Sequence, residues 1–135
     1  MTVMPARTVS VSIDRDPGVV YQYVSDPRNL PDWAPGFAKA VGEEAGGWVV
    51  ETADGKVRVA FVPDNKLGVV DHRVTNDAGL DVVNPMRIIP NADGAEVLFT
   101  LFRPRDMADN EFQRDVGLVE ADLQTLKRVL EGGER

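Results

Sequence analysis

His72 is the single histidine in this sequence, and its imidazole is the one side chain that ordinarily changes charge near neutral pH. Other chemistry-bearing residues are sparse. With no cysteine, the chain has no disulfides, no thiolate catalysis and no cysteine-based zinc or iron–sulfur site. One histidine with scattered carboxylates gives no zinc spacing, and the aspartate-rich loops do not match a calcium loop, so neither a metal nor a cofactor is expected. The serines are Ser10, Ser12 and Ser25, none of them in a Gly-x-Ser-x-Gly turn. The 12 glycines form no Gly-x-Gly-x-x-Gly or phosphate-loop pattern. His72 therefore has three possible uses. It is a buried ring satisfied by Asn84 or a water, a polar handle that orients a ligand carbonyl or hydroxyl, or a general base. General-base work wants a second group in reach. The carboxylates of the C-terminal segment (Glu111, Asp115, Glu120, Asp122) read as a solvated face, and only Asp115 borders its apolar stripe. With no obvious inward titratable partner for His72, the ligand handle ranks ahead of catalysis.

The elements that position these residues follow from periodicity and turn signals. Arg7–Ile13 alternates, with Val9, Val11 and Ile13 on one face, and reads as a first strand. Asp16-Pro17 is an N-cap followed by proline at the first helical position, and Asp26-Pro27 repeats it, so two short helices follow. From Phe37 to Arg103 the chain reads as a meander of about six strands. Asp54-Gly55 predicts a two-residue type I′ turn, which pairs Ala53 with Lys56, Val50 with Val59 and Trp48 with Phe61. Gly79 predicts a three-residue loop that sets His72 opposite Asn84, Val74 opposite Val82 and Val70 opposite Met86. Asp71, Arg73, Asp81 and Arg87 then share the outer face. The turn at Asn91–Gly94 pairs Pro90 with Ala95, Ile88 with Val97, Met86 with Phe99 and Asn84 with Leu101. All three turns place the large apolar residues on one face, the consistency expected of a specified sheet. After Pro104, Phe112, Val116, Val119, Leu123, Leu126 and Leu130 form a stripe along a helix of about 22 residues, roughly 33 Å long. Asp106 or Asp109 would cap it, and Gly132-Gly133 would end it. The pattern is that of one α+β domain.

The order of strand, two short helices, antiparallel meander and long C-terminal helix resembles the START/Bet v 1-like superfamily, and more closely the small bacterial proteins labelled polyketide cyclase/dehydrase-like. Five stretches carry the resemblance: Ile13 to Trp33, Asp71-His72, Asn84-Pro85-Met86-Arg87, Thr100-Leu101-Phe102-Arg103, and Val119 to Lys127. The resemblance implies a helix-grip fold over residues 7–131, in which a curved seven-stranded antiparallel sheet wraps the long helix. Residues 1–6 and 132–135 are flexible tails on this reading. It also implies a cavity between helix and sheet for a small apolar molecule such as a lipid, a polyketide or an aromatic compound. His72 and Asn84 would be its polar anchors, with Trp33, Met86, Phe99, Phe112, Val116 and Val119 as lining. A cyclase or dehydratase using His72 as general base is the second expectation. The third is an interaction module whose interior is filled by large residues such as Trp48, Phe61, Met86 and Phe99. Fold alone does not choose among them.

Charge narrows the partners. Lys and Arg total 15 against 22 Asp and Glu, a net charge of −7. A phosphate-binding groove needs clustered positive charge, so no nucleic-acid partner is expected. No run is long and apolar enough for a membrane span, and Met1–Arg7 is no signal peptide, which makes the cytoplasm the expected location. Val83, Ile89, Leu98 and Phe102 fall on the outer face by parity and predict a weak homodimer there.

Overall fold

The computed structural model describes residues 3–132. The alternating N-terminal segment forms β1 (Ala6–Ile13). Asp16 caps α1 (Pro17–Val24), its carboxylate accepting the Gly18 N–H at 2.8 Å. The second Asp-Pro signal opens a single 3₁₀ turn, Pro27–Asn29, which runs into one turn of α-helix, α2 (Leu30–Trp33). Seven strands follow: β2 (Ala40–Glu44), β3 (Gly47–Thr52), β4 (Gly55–Phe61), β5 (His72–Thr75), β6 (Asp81–Asn84), β7 (Met86–Asn91) and β8 (Gly94–Phe102). The C-terminal helix α3 spans Asp109–Gly132. Its start differs from expectation. Neither Asp106 nor Asp109 is the capping side chain. Instead Glu111 reaches back to the Ala108 N–H at 3.4 Å, and Asp109 lies in the first turn, where the helix dipole favours negative charge. Gly133 and the C-terminal residues beyond it, together with Met1 and Thr2, lie outside the described residues.

The strand count is eight in two sheets, ordered β1-β8-β7 and β2-β3-β4-β5-β6, where the sequence predicts seven in one. Pro85 accounts for the difference. It divides the segment read as one strand into β6 and β7, because proline has no N–H to give to a ladder. The pairing register is nevertheless unbroken. His72 pairs with Asn84 and Val74 with Val82 on one side of the bend. On the other side Val69 bridges Arg87, Val70 N–H donates to Met86 O at 2.9 Å, and Ile88 N–H donates to Gly68 O at 2.8 Å. Residues 68–75 and 81–88 thus form one hairpin folded across Asp71 and Pro85. At the fold the Asp71 carboxylate takes the place of a backbone acceptor. Its Oδ1 receives the Met86 N–H at 2.8 Å and Arg87 Nε at 3.0 Å, and Oδ2 receives Arg87 Nη2 at 3.0 Å. This hinge is where the chain passes from the five-stranded sheet at β6 to the three-stranded one at β7. It also explains why Asn84 does not pair with Leu101: the β7–β8 ladder runs from Asn91–Gly94 to Met86–Phe99 and stops at Pro85.

The β3–β4 turn is also corrected. Thr52 pairs with Gly55 and Val50 with Val57, two residues from the predicted register, with Ala53 and Asp54 at the tip. Positive φ falls on Gly55 (+119°) and not on Ala53 or Asp54, so this is not a type I′ turn. Thr52 holds it, its hydroxyl donating to Gly55 O at 2.7 Å and accepting the Asp54 N–H at 3.1 Å. A shift of two preserves which residues face inward. Trp48 does not join the core, however. It is half-buried opposite Val59, outside the contiguous cluster to which Val50, Val57 and Val59 belong.

The core lies between α3 and the sheets. Val9, Val11 and Ile13 of β1 and Ala95, Val97, Phe99 and Leu101 of β8 alternate inward against Leu123, Leu126 and Leu130. α1 closes the same end with Val20 and Val24. The other half of α3, from Phe112 to Asp122, looks toward the five-stranded sheet, where the interior is not filled.

Candidate functional site

A cavity of about 800 Å³ lies between the N-terminal half of α3, α2 and the concave side of β3–β6 and β8. That is ample for a drug-sized molecule. Six of the eight residues singled out from the sequence line it: His72, Asn84, Trp33, Phe99, Phe112 and Val119. Met86 and Val116 do not. Both are core residues, 0% and 2% exposed, and the bend at Pro85 carries Met86 to the packed side.

His72 stands on β5 between two aromatic rings, Phe61 at 5.0 Å and Phe99 at 5.7 Å between centroids. Its Nδ1 lies 3.1 Å from the Val70 carbonyl. A carbonyl only accepts, so Nδ1 carries the proton and Nε2 is left as an acceptor. Asn84 Nδ2 is 3.5 Å from Nε2, a long contact. Burial pushes the imidazole pKa below 6.5, against smaller opposing effects from Val70 O and the Asp71 charge. At neutral pH His72 is a neutral hydrogen-bond acceptor in an apolar wall.

Trp33 ends α2 and is 4% exposed. Its Nε1 is the buried side-chain donor that finds no partner among the described residues. Buried indole N–H groups are normally satisfied. This nitrogen has no surface open to the cavity, so its unpaired N–H is a cost carried by the fold.

The sequence reading of the α3 carboxylates is corrected at Asp122. It is 7% exposed and lines the cavity, where a solvated side chain was expected. Its Oδ1 accepts the Gly36 N–H at 3.0 Å. A Cβ at Gly36 would stand 2.9 Å from the same oxygen, so glycine permits this approach of α2's following turn to α3. Burial raises the Asp122 pKa, partly offset by the Gly36 hydrogen bond and the Lys39 charge. Asp115, one heptad earlier, also lines the cavity, and its pKa is raised chiefly by burial, opposed by the Arg114 charge and helped by repulsion from Glu111 and Asp54. The expectation of no titratable group beside His72 in the interior therefore fails. The available signal was the i, i+7 spacing of two aspartates flanking the apolar stripe, with Pro35-Gly36 supplying a close backbone approach.

The cavity also reaches residues read as outer-face. Val83 and Phe102 belong to its rim, together with Leu80 and Leu118. Ile89 and Leu98 remain on the side of β7 and β8 opposite Ile88 and Val97. Among the described residues no group of three or more His, Cys, Asp or Glu is placed to hold a metal, and no helix is long and apolar enough to cross a membrane.

Comparison with known proteins agrees with this architecture. Solved structures of similar fold include the protein XoxI from Bacillus cereus, at TM-score 0.78 and 18% identity over 98% of this chain and 99% of that one. The Aha1 dimer from Colwellia psychrerythraea matches at TM-score 0.75 and 14% identity, covering 98% of this chain and 100% of the other. Ara h 8.0201 matches at TM-score 0.68 and 13% identity over 96% and 99% of the two chains. At these identities the likeness establishes the fold. No curated protein matches the sequence. Residues 4–131 match the model of a family described as polyketide cyclase/dehydrase and lipid transport. The helix-grip architecture, shared with these structures, and this match over nearly the whole length agree, and the chain belongs to that polyketide cyclase/dehydrase and lipid transport family.

Proposed function

We propose that this protein binds one small, largely apolar molecule between α3 and the five-stranded sheet. The observation that carries the reading is the cavity itself, about 800 Å³ within a chain of 135 residues and walled mainly by apolar side chains. A packed-core interaction module would have filled that space, since close packing of interiors is the rule. His72 Nε2 and the neighbouring Asn84 amide supply polar groups inside the apolar wall, the small set by which such sites orient a ligand.

The test is titration with the neutral fluorescent probe N-phenyl-1-naphthylamine. Saturable one-to-one binding is expected, weakened at least about tenfold in Val119→Trp, whose indole would occupy the cavity. Equal binding by the filled variant would refute the reading.

A cyclase or dehydratase is the second reading, favoured by the carboxyl groups that accompany His72 in the cavity. It ranks second because burial lowers the basicity of His72. A ring that resists protonation serves better as a fixed acceptor than as a general base.

A further inference from the structure

The charges lining the cavity are of one sign. Four aspartates line it (Asp54, Asp81, Asp115 and Asp122), and no lysine or arginine does among the described residues. Asp81 is neutralised by Arg73, whose Nε lies 2.7 Å from its Oδ1. The other three form no ion pair among the described residues. The nearby cations stand outside the lining: the Lys39 charge acts on Asp122 and the Arg114 charge on Asp115, neither of them as an ion pair, and Arg103 faces Asp109 at 3.6 Å. Asp122 is the most deeply placed of the three, with one oxygen held by Gly36. A carboxylate kept from water without a cation is costly, and a low-dielectric cleft of one sign focuses its field on whatever enters.

We propose that the ligand is an apolar amine, its ammonium group set against Asp122 and its body in the apolar part of the cavity between Phe99, Phe112 and Val119. This deepens the binding reading and rests on it. The Asp122 carboxylate lines the cavity at the α2 end, with its Oδ1 held in place by the Gly36 N–H at 3.0 Å. The same charges exclude fatty acids and other apolar carboxylates. An anion would enter beside Asp115 and Asp122, with no cationic side chain in the lining to receive it.

The experiment compares decylamine, decanol and decanoate as displacers of bound N-phenyl-1-naphthylamine at neutral pH and physiological salt. Each has ten carbons, with the alkyl chain of decanoate one methylene shorter, worth about fourfold in affinity (about 0.8 kcal/mol), and they differ in headgroup charge. Decylamine is expected to bind at least about tenfold more tightly than decanoate, with decanol between them, as one partly screened charge contact predicts. In Asp122→Asn the amine should lose its advantage over decanol. Asparagine can still accept the Gly36 N–H, and the net charge changes by one, which separates a local contact from general attraction to an acidic protein. Asp115→Asn is the second variant and should lower the advantage by a smaller factor. Decanoate binding as tightly as decylamine would overturn the inference while leaving the cavity reading intact. So would an amine advantage unchanged in both variants. Failure of all three compounds and of the probe to bind would overturn both.

Discussion

Asp122 and His72 are perturbed in opposite directions by one cause, removal from water, and each leaves a distinct trace in stability. The folded-state pKa of Asp122 lies above 3.8, so the native protein holds that proton more tightly than the unfolded chain. Its contribution is greatest below pH 3.8 and is lost as pH rises through the folded value. Asp122→Asn should therefore melt at a higher temperature than the parent at pH 7, and the gap should close as pH falls below 3.8. A variant less stable than the parent at pH 7 would show that the carboxylate is satisfied in the fold. For His72 the sign reverses. Its folded pKa is below 6.5, so the neutral ring's contribution is complete above pH 6.5 and is lost as pH falls toward the folded value. Compared with His72→Gln, the parent should lose melting temperature on acidification below pH 6.5, and parallel curves would contradict the burial of a neutral ring. The sequence allowed His72 to be placed opposite Asn84 because strand parity and a glycine-bearing loop are local signals. Asp122 escaped notice because its burial depends on where Gly36 lands on α3, a contact across 86 residues that no local pattern encodes.

At the scale of elements, the folded hairpin of residues 68–75 and 81–88 decides the shape of the cavity. Asp71 holds the bend with three hydrogen bonds, one of them to the Met86 N–H. Truncating it in Asp71→Ala would leave a half-buried N–H without its acceptor and Arg87 without its partner. The expected loss is about 1–3 kcal/mol of unfolding free energy, measured by urea denaturation. A change below a few tenths of a kcal/mol would mean that the ladder closes without the carboxylate. The turn signals specified the inward face of most residues from β3 to β8, but Val83 and Phe102, expected outside, reach the cavity rim, and Trp48, expected inside, stays out of the core. The same signals were less able to specify how many strands there are. Pro85 was visible in the sequence, but whether a proline bends a strand or divides it depends on what replaces the missing ladder bond. Here that substitute is a side chain 14 positions earlier. The β3–β4 turn was misregistered for a related reason. Asp-Gly fits two hairpin geometries, and the choice was made by the Thr52 hydroxyl, which satisfies the turn from outside the dipeptide.

For the whole molecule, the division of labour runs along α3. Its C-terminal half, with Leu123, Leu126 and Leu130, packs against the β1–β8 core, and its N-terminal half roofs the cavity. The apolar stripe was legible as one continuous feature from Phe112 to Leu130. Its split into a packed half and an open half was not, because that depends on the distance between helix and sheet. The central claim is that the open half holds one apolar molecule, and native mass spectrometry tests it most directly. Protein purified without detergent, and the same protein incubated with excess N-phenyl-1-naphthylamine, should each be measured intact and after denaturation. The account predicts a single one-to-one adduct in the incubated sample, released on denaturation and absent from Val119→Trp. A bare polypeptide mass both as purified and after incubation would contradict it.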